Sequence, residues 1–255
     1  MTNQTETTQM TAHADRLPMT LAAYVALVLS FSAVSLLWGW AAAPEPAAPT
    51  PLTALAFWFV LSLAAETLWL RTPDRRGMVS MSLAANIAAL FVLPRGEALS
   101  IAALSVLLAD LLLHRRGVLR AAFNAAQTSL SLALAGAAMD LVAGGSLPAG
   151  SQAFLLYPAA VAITLPIFCA ANVIFVSLAI ALESGRPFLV AWHENYGFLY
   201  HYLSCAALFF VGLGLVVTVE TLGYVSGLVS LIFLIMIHNA YRFQVRRRRT
   251  ATTPD

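Results

Sequence analysis

The stretch from Val118 to Val142, VLRAAFNAAQTSLSLALAGAAMDLV, decides the fold, because it is long enough to cross a bilayer and carries a regular polar stripe. Arg120, Asn124, Gln127 and Ser131 recur at spacings of four, three and four, which places them on one face of a helix. The opposite face carries small residues, namely Ala122, Ala126, Ser129, Ala133 and Gly136. Small residues let membrane helices approach closely, and amides in hydrocarbon need partners. The pattern therefore predicts a helix at the centre of a bundle.

The remaining sector of this helix is bulky and apolar. It contains Leu119, Phe123, Leu130 and Leu134, and we expect it to face lipid. The polar stripe has two interpretations. Its amides either only bond to neighbouring helices or also face a ligand.

The composition of the whole chain agrees with a membrane bundle. Of its 255 residues 60% are hydrophobic and 10% are charged, whereas soluble domains carry about 25% charged residues. Apolar runs predict an all-α polytopic transmembrane bundle of about eight spans. The predicted spans are Leu21 to Ala42, Leu52 to Leu70, Met78 to Leu93, Ala98 to Leu113, Val118 to Val142, Tyr157 to Leu182, Phe198 to Val217 and Leu222 to Tyr241.

The arginines predict the orientation of the bundle. All 14 basic residues are Arg, which indicates a GC-rich bacterial genome, and with eight spans 13 of them fall on one side. Only Arg95 lies opposite. The positive-inside rule makes the arginine-rich side cytoplasmic. We therefore expect a multi-pass protein of the bacterial inner membrane, with cytoplasmic tails at 1–19 and 243–255 flanking a bundle at 20–242.

Two regions leave the span count open. The first span, with Arg16 before it and Ala41 to Ala43 after it, resembles a signal peptide, and cleavage would leave seven spans. Pro44 and the length of the apolar run favour a retained helix. Pro158 and Pro166 interrupt the region 154–166, which is either one bent helix or a short re-entrant piece.

Polar residues inside the spans are the candidate ligand-binding residues. Depth places most of them in the cytoplasmic half, with Asn86 and Asn172 nearer the middle of the membrane. The eight candidates are Glu66, Asn86, Asp110, Arg120, Asn124, Gln127, Asn172 and His201. Those near the interface could instead snorkel to headgroups or pair with arginines. If Glu66, Asp110 and His201 converge on an open pocket, acid–base or proton-coupled chemistry gains support.

The sequence shows no known catalytic or metal-binding motif. There is no HExxH, nucleophile elbow or glycine-rich phosphate loop, and Cys169 and Cys205 lie in apolar segments without ligand spacing. We expect no enzyme activity, metal or cofactor, although an intramembrane enzyme acting on lipids stays an alternative.

A run of four arginines in the C-terminal tail is the candidate membrane-surface site. It consists of Arg246, Arg247, Arg248 and Arg249. Arginines beside a bilayer attract anionic headgroups at about 1 kcal/mol each. We expect the run to anchor the topology rather than to bind nucleic acid, because it is short and lies against the bilayer.

Three segments together carry a family resemblance: VSMSLAANIAAL at 79–90, LLADLLLHRR at 107–116 and RAAFNAAQTSLSLALAG at 120–136. They resemble the multi-span MASE-type membrane sensor domains that precede diguanylate cyclase or HD-GYP modules in bacteria. The matching residues are Asp110, Arg120, Phe123, Asn124, Ala125, Gln127 and Asn172.

The resemblance implies a bundle that senses a signal and passes it to a cytoplasmic output module. Only six residues follow Arg249, so we expect no output module in the chain and signalling through a partner protein. The expected function is a stand-alone sensor-type membrane protein that binds a small or lipidic ligand. The alternative is a substrate-binding membrane subunit of a small-solute transporter, although such subunits usually have six spans. The oligomeric state stays open.

Overall fold

A computed structural model describes residues 19–42, 49–71, 78–197, 199–232, 235–236 and 238–239. The helices are α1 (Met19–Ala41), α2 (Leu52–Glu66), α3 (Ser82–Val92), α4 (Arg95–Leu108), α5 (Val118–Ala143), α6 (Gln152–Leu156), α7 (Pro158–Ser184), α8 (Phe188–Tyr196) and α9 (Leu199–Leu222). A π-helical turn, Ala109–Leu113, continues α4, and residues 224–232 are also helical.

Some predictions fall on parts of the chain outside the described residues. These parts are the predicted tails and the end of the predicted eighth span. The candidate membrane-surface residues Arg246, Arg247, Arg248 and Arg249 all lie in the second tail, outside the described residues. Their contact with headgroups therefore stays a prediction.

Helices dominate the described chain, which confirms the all-α prediction in its coarser form. Among the described residues, five helical segments are long and apolar enough to cross a membrane: α1, α4 with its π-helical turn, α5, α7 and α9. Their outer faces expose large apolar side chains such as Phe31, Leu104 and Phe210. Such faces are what a bilayer would cover.

The predicted second and third spans differ from what the structure shows. Instead of helix up to Leu70 and from Met78, the chain forms two antiparallel strands, β1 (Trp69–Arg71) and β2 (Met78–Ser80). Trp69 pairs with Ser80 in this hairpin. Short apolar runs fit a strand as well as a helix, so hydropathy alone could not distinguish the two.

The region around Pro158 and Pro166 forms two helices. The five-residue α6 ends before Tyr157, and α7 begins at Pro158 and contains Pro166 in its interior. Proline suits the first position of a helix, because its fixed φ matches the helix and the missing N–H has no intrahelical partner there. Gly185, with φ 66°, ends α7 in the left-handed conformation that glycine adopts readily.

Helix α5 lies at the centre of the packing, against α1, α4 and α7. Its small-residue face contacts α4: the Ser129 hydroxyl donates to the Leu99 carbonyl at 3.3 Å, and a Cβ at Gly136 would meet the Arg95 guanidinium at 2.9 Å. Arg95 in turn forms a two-pronged ion pair with Asp140 of α5, at 2.6 and 3.0 Å. Ser129 and Gly136 of the small-residue face thus allow α4 to approach closely, whereas Ala126 of the same face packs against α1.

The bulky sector of α5 corrects one prediction. Phe123 and Leu130 do not face lipid but pack against Leu21, Val25 and Val28 of α1. Other members of the sector, such as Leu119 and Leu134, are exposed. Apolar side chains suit lipid and protein equally, so only tertiary packing decides between them.

Helix α3 is the most enclosed element of the fold. Residues 82–91 are all buried, and its 11 residues rise only about 16 Å. The helix packs against α9 and α2. An apolar helix buried on every side belongs to the core of the bundle.

The contact of α9 with α3 makes a direct prediction about two glycines of α9. A Cβ at Gly212 would lie 2.7 Å from the Ala84 carbonyl oxygen, whereas a Cβ at Gly214 would have no atom within 4 Å. Gly212→Ala should therefore destabilise the protein by about 1–3 kcal/mol through overpacking. Gly214→Ala, the matched control, should be neutral or stabilise by up to about 1 kcal/mol. Unfolding of the two purified variants in detergent measures the difference, and equal stability would contradict the close packing.

Candidate functional site

A cavity of about 360 Å³ lies among the ends of α2, the β1–β2 hairpin, α3, the π-helical turn, α5, α7, α8 and α9. These ends carry the arginine-rich connections at 71, 115–116, 120 and 186. Seven of the eight candidate residues line the cavity: Glu66, Asn86, Asp110, Asn124, Gln127, Asn172 and His201. Residues that are far apart in the sequence thus meet around one space.

Arg120 is the candidate that does not line the cavity. Its side chain is 65% exposed and pairs with Glu183 of α7 at 3.3 Å. Exposed pairs of this kind contribute about 0–1 kcal/mol. Arg120 therefore belongs to the surface of the bundle.

Asp110 lies on the π-helical turn and is fully enclosed. Asn124 Nδ2 donates to Asp110 Oδ2 at 2.6 Å, and the Arg116 guanidinium approaches Asp110 Oδ1 at 3.1 Å. The π-helical bond runs from the His114 N–H to the Ala109 carbonyl, five residues back. Such turns insert a residue and redirect side chains, and they are frequent at functional sites. Arg115, with φ 51°, occupies the left-handed region, and the Arg116 N–H then bonds back to the Asp110 carbonyl at 2.8 Å.

Trp69 of the hairpin contacts both Arg116 and His114. The Arg116 guanidinium lies over the Trp69 ring, 5.4 Å from its centroid, and Trp69 Nε1 donates to His114 Nε2 at 3.2 Å. A cation over an indole face is attracted by the ring quadrupole. The hairpin is thus tied to the π-helical turn by the same arginine that pairs with Asp110.

Glu66 is the last residue of α2, and its side chain reaches the first turn of α3. The Ser82 hydroxyl donates to Glu66 Oε1, and the Ser80 hydroxyl donates to Ser82 Oγ at 3.0 Å. Ser82 is the first residue of α3, and a helix N-terminus stabilises negative charge. A chain of hydroxyl hydrogen bonds from Ser80 and Ser82 therefore fixes the Glu66 carboxyl group at the first turn of α3.

The amides form a wall on the other side of the cavity. Asn172 Nδ2 donates to Gln127 Oε1 at 3.1 Å, and Gln127 Nε2 donates to Thr128 Oγ1 at 2.9 Å. Asn86 is different: it is 1% exposed, and neither its Nδ2 nor its Oδ1 has a hydrogen-bond partner among the described residues. A buried polar group without a partner costs about 1–3 kcal/mol. A ligand in the cavity could supply the hydrogen bonds that the Asn86 amide lacks within the described residues.

His201 and Tyr196 complete the lining on the side of α8 and α9. Their rings meet edge to face at 4.9 Å, and His201 Nε2 lies 3.7 Å from Cys205 Sγ. Burial raises the pKa of Tyr196 to about 12, so its phenol is neutral and able to donate at physiological pH. Cys169 and Cys205 are both free and buried.

Sequence reasoning missed several lining residues. In the sequence Arg116 predicts only the orientation of the bundle, and no pattern singles out Trp69, Tyr196 or Asn195, although all four line the cavity. Arg116 lies six residues after Asp110, a spacing that a regular helix would not bring together. Only the π-helical turn and the strained Arg115 create that contact.

Within the part of the chain that the structure describes, no three His, Cys, Asp or Glu side chains are grouped to hold a metal ion. Glu66, Asp110 and His201 do line the same cavity, the condition set above for acid–base or proton-coupled chemistry. A comparison of the chain with protein-family models, curated proteins and solved structures finds no match. The chemistry of the cavity is therefore the basis for any functional conclusion.

Proposed function

We propose that this protein is a sensor-type integral membrane protein whose polar cavity binds a small ligand and passes the binding event to a partner protein. One observation carries the proposal: seven intramembrane polar candidates surround a single cavity, and Asn86 among them has no hydrogen-bond partner in the described residues. An unsatisfied buried amide beside a cavity is a group that a ligand would satisfy.

The proposal includes eight crossings with both termini in the cytoplasm of a bacterial inner membrane. The proposal assigns the three crossings beyond the five long helices to α2, α3 and the helical residues 224–232. Residues of β2 and α3 together extend about 26 Å by their ordinary rises, close to a hydrocarbon core of about 30 Å. In this arrangement the cavity lies toward the arginine-rich side, which the positive-inside rule makes cytoplasmic.

The proposed route to a partner runs through the wall of the cavity. Trp69 of the hairpin and Arg116, three residues after the π-helical turn, both line the cavity at the arginine-rich end. A ligand that changes their contacts would change the surface that a partner meets. The resemblance of residues around Asp110 and Asn124 to membrane sensor domains supports the same role.

Filling the cavity tests ligand binding. Val176 lines the cavity on α7, and Ile174, two residues away, is 48% exposed on the outer surface. We expect wild type and Ile174→Phe to co-purify the same small molecule, detected by mass spectrometry of the extracted protein. Val176→Phe should lose it, because the added ring occupies the cavity. If no compound distinguishes Val176→Phe from Ile174→Phe, the proposed binding function is wrong.

Transport is the second candidate, favoured by a second cavity. This cavity, of about 390 Å³, lies at the other end of α3 and is lined by residues 90–95 and by Asp140. Asn86 on the first cavity and Leu90 on the second are one helical turn apart. Uptake of the co-purified compound into vesicles that contain only this protein would favour transport over sensing.

A further inference from the structure

The free hydrogen-bonding capacity of the cavity wall consists mainly of acceptors. Asn124 Nδ2 donates to Asp110, Asn172 Nδ2 donates to Gln127, and Asn195 Nδ2 donates to the Ala191 carbonyl at 2.8 Å. The Oδ1 atoms of these three asparagines take no hydrogen bond from the described residues. These three residues therefore offer carbonyl oxygens to a ligand while their amide donors bond to protein, and Asn86 offers both its Oδ1 and its Nδ2.

Two of these amide orientations are fixed by chemistry. Asn124 faces a carboxylate and Asn195 faces a backbone carbonyl, and both partners can only accept when the carboxylate is ionised. The amide nitrogen must therefore point to the partner, and the oxygen must be the free atom. Exchanging O and N in either residue would place two acceptors against each other.

Among the described residues that line the cavity, the Glu66 carboxylate has no ion-pair partner. Two carboxylates, Glu66 and Asp110, and one guanidinium, Arg116, line it. Arg116 forms its ion pair with Asp110, and no described Arg pairs with Glu66. Glu66 and Asp110 line the same cavity. A monocation next to Glu66 would neutralise this cluster.

The arrangement along α3 defines where such a cation would bind. Ser82, which holds Glu66, and Asn86 are four residues apart and share one face of α3. The unpartnered Asn86 carbonyl thus lies one turn from the carboxylate. Apolar side chains complete the lining, among them Leu83, Val106 and Phe168. A volume of about 360 Å³ is far larger than a bare metal ion needs.

Resting on the proposed function, we infer that the ligand is a small organic monocation: a protonated amine bound by Glu66 and the asparagine carbonyls, with an apolar body against the aliphatic and aromatic wall. Ammonium groups donate three hydrogen bonds and accept none, which matches a wall of free acceptors. Aromatic rings at Trp69 and Tyr196 add favourable contacts for a cation.

Three probes that differ only at the head group test this inference on the purified full-length protein. They are 2-phenylethylamine, 2-phenylethanol and phenylacetate, measured by calorimetry or by the shift in unfolding temperature. We expect the amine to bind at least tenfold more tightly than the alcohol and phenylacetate not to bind. An amine no tighter than the alcohol, or no amine binding at millimolar concentration, overturns the inference.

A charge variant assigns the effect to Glu66. Glu66→Gln keeps an oxygen that accepts from Ser82 but removes the charge, and it should reduce the preference for the amine over the alcohol at least tenfold. Glu183→Gln, on the exposed surface pair with Arg120, is the matched control and should keep the preference. An unchanged preference in Glu66→Gln contradicts the role of Glu66. The wild-type comparison decides the charge preference even if Glu66→Gln fails to fold.

The outcomes separate this inference from the proposed function. If the alcohol or phenylacetate binds best and Val176→Phe abolishes that binding, the cavity is a ligand site but not one for cations. If Val176→Phe and Ile174→Phe co-purify the same compounds, the proposed function itself fails.

Discussion

Replacing Asn86 by Leu is expected to stabilise the folded protein by about 1–3 kcal/mol while it abolishes ligand binding, because the change removes a buried amide that has no partner among the described residues. Leu is of similar size and suits the apolar surroundings of α3, where residues 82–91 are all buried. Unfolding of the purified variant in detergent without added ligand measures the stability.

Asn124→Leu is the matched control, since it changes another asparagine of the same cavity. Asn124 donates to the enclosed Asp110 carboxylate at 2.6 Å. Its loss should destabilise the protein by about 1.5–3 kcal/mol, the range for hydrogen bonds to charged groups. The two substitutions should therefore change stability in opposite directions while both impair binding of the amine probe.

An Asn86→Leu variant that is less stable than wild type would contradict this account. It would mean that the Asn86 amide is satisfied in the folded protein and stabilises it. A stable variant with wild-type binding would instead show that Asn86 does not contact the ligand. A stability gain with lost binding is the pattern of a residue kept for function at a cost in stability.

Much of the candidate site could be predicted from the sequence, because membrane burial makes polar residues informative. The four, three, four spacing of the stripe placed Asn124 and Gln127 on one face, and the alternating arginines placed Glu66, Asp110 and His201 at one end of the bundle. Hydrocarbon excludes unpaired polar groups, so such residues have to meet partners or a cavity. The structure brings all five to the same cavity.

The parts that could not be predicted depend on local backbone changes and tertiary packing. Arg116 reaches Asp110 only because a π-helical turn and the left-handed Arg115 redirect the chain. Trp69 lies in a β-hairpin, whereas the apolar runs predict helix on both sides of this short connection. Leu130 packs on α1 although its hydrophobicity is equally compatible with lipid. None of these outcomes has a periodic signal in the sequence.

Arg116→Leu is expected to destabilise the protein by about 3–5 kcal/mol, because it leaves the Asp110 carboxylate as an enclosed charge without a cation. The Asp110 side chain is only 3% exposed, and its other partner is the neutral amide of Asn124. Arg120→Leu is the control. It removes an arginine that is 65% exposed and belongs to a surface pair, and it should cost less than about 1 kcal/mol.

Neutralising Asp110 should restore most of the stability that Arg116→Leu removes. This result would show that the loss comes from an uncompensated charge and not from lost packing. In the double variant Asp110→Asn/Arg116→Leu, residue 110 is neutral and still has an oxygen to accept from Asn124, so the free energy of unfolding should return to within about 1 kcal/mol of wild type. Asp110→Asn alone should cost less than Arg116→Leu, because the Arg116 side chain is 31% exposed and its charge can reach water. Equal losses in the two single variants, without recovery in the double variant, would mean that Arg116 stabilises the fold through its contact with Trp69 instead. The asymmetry follows from depth: of the two partners in this ion pair, only the arginine has access to solvent.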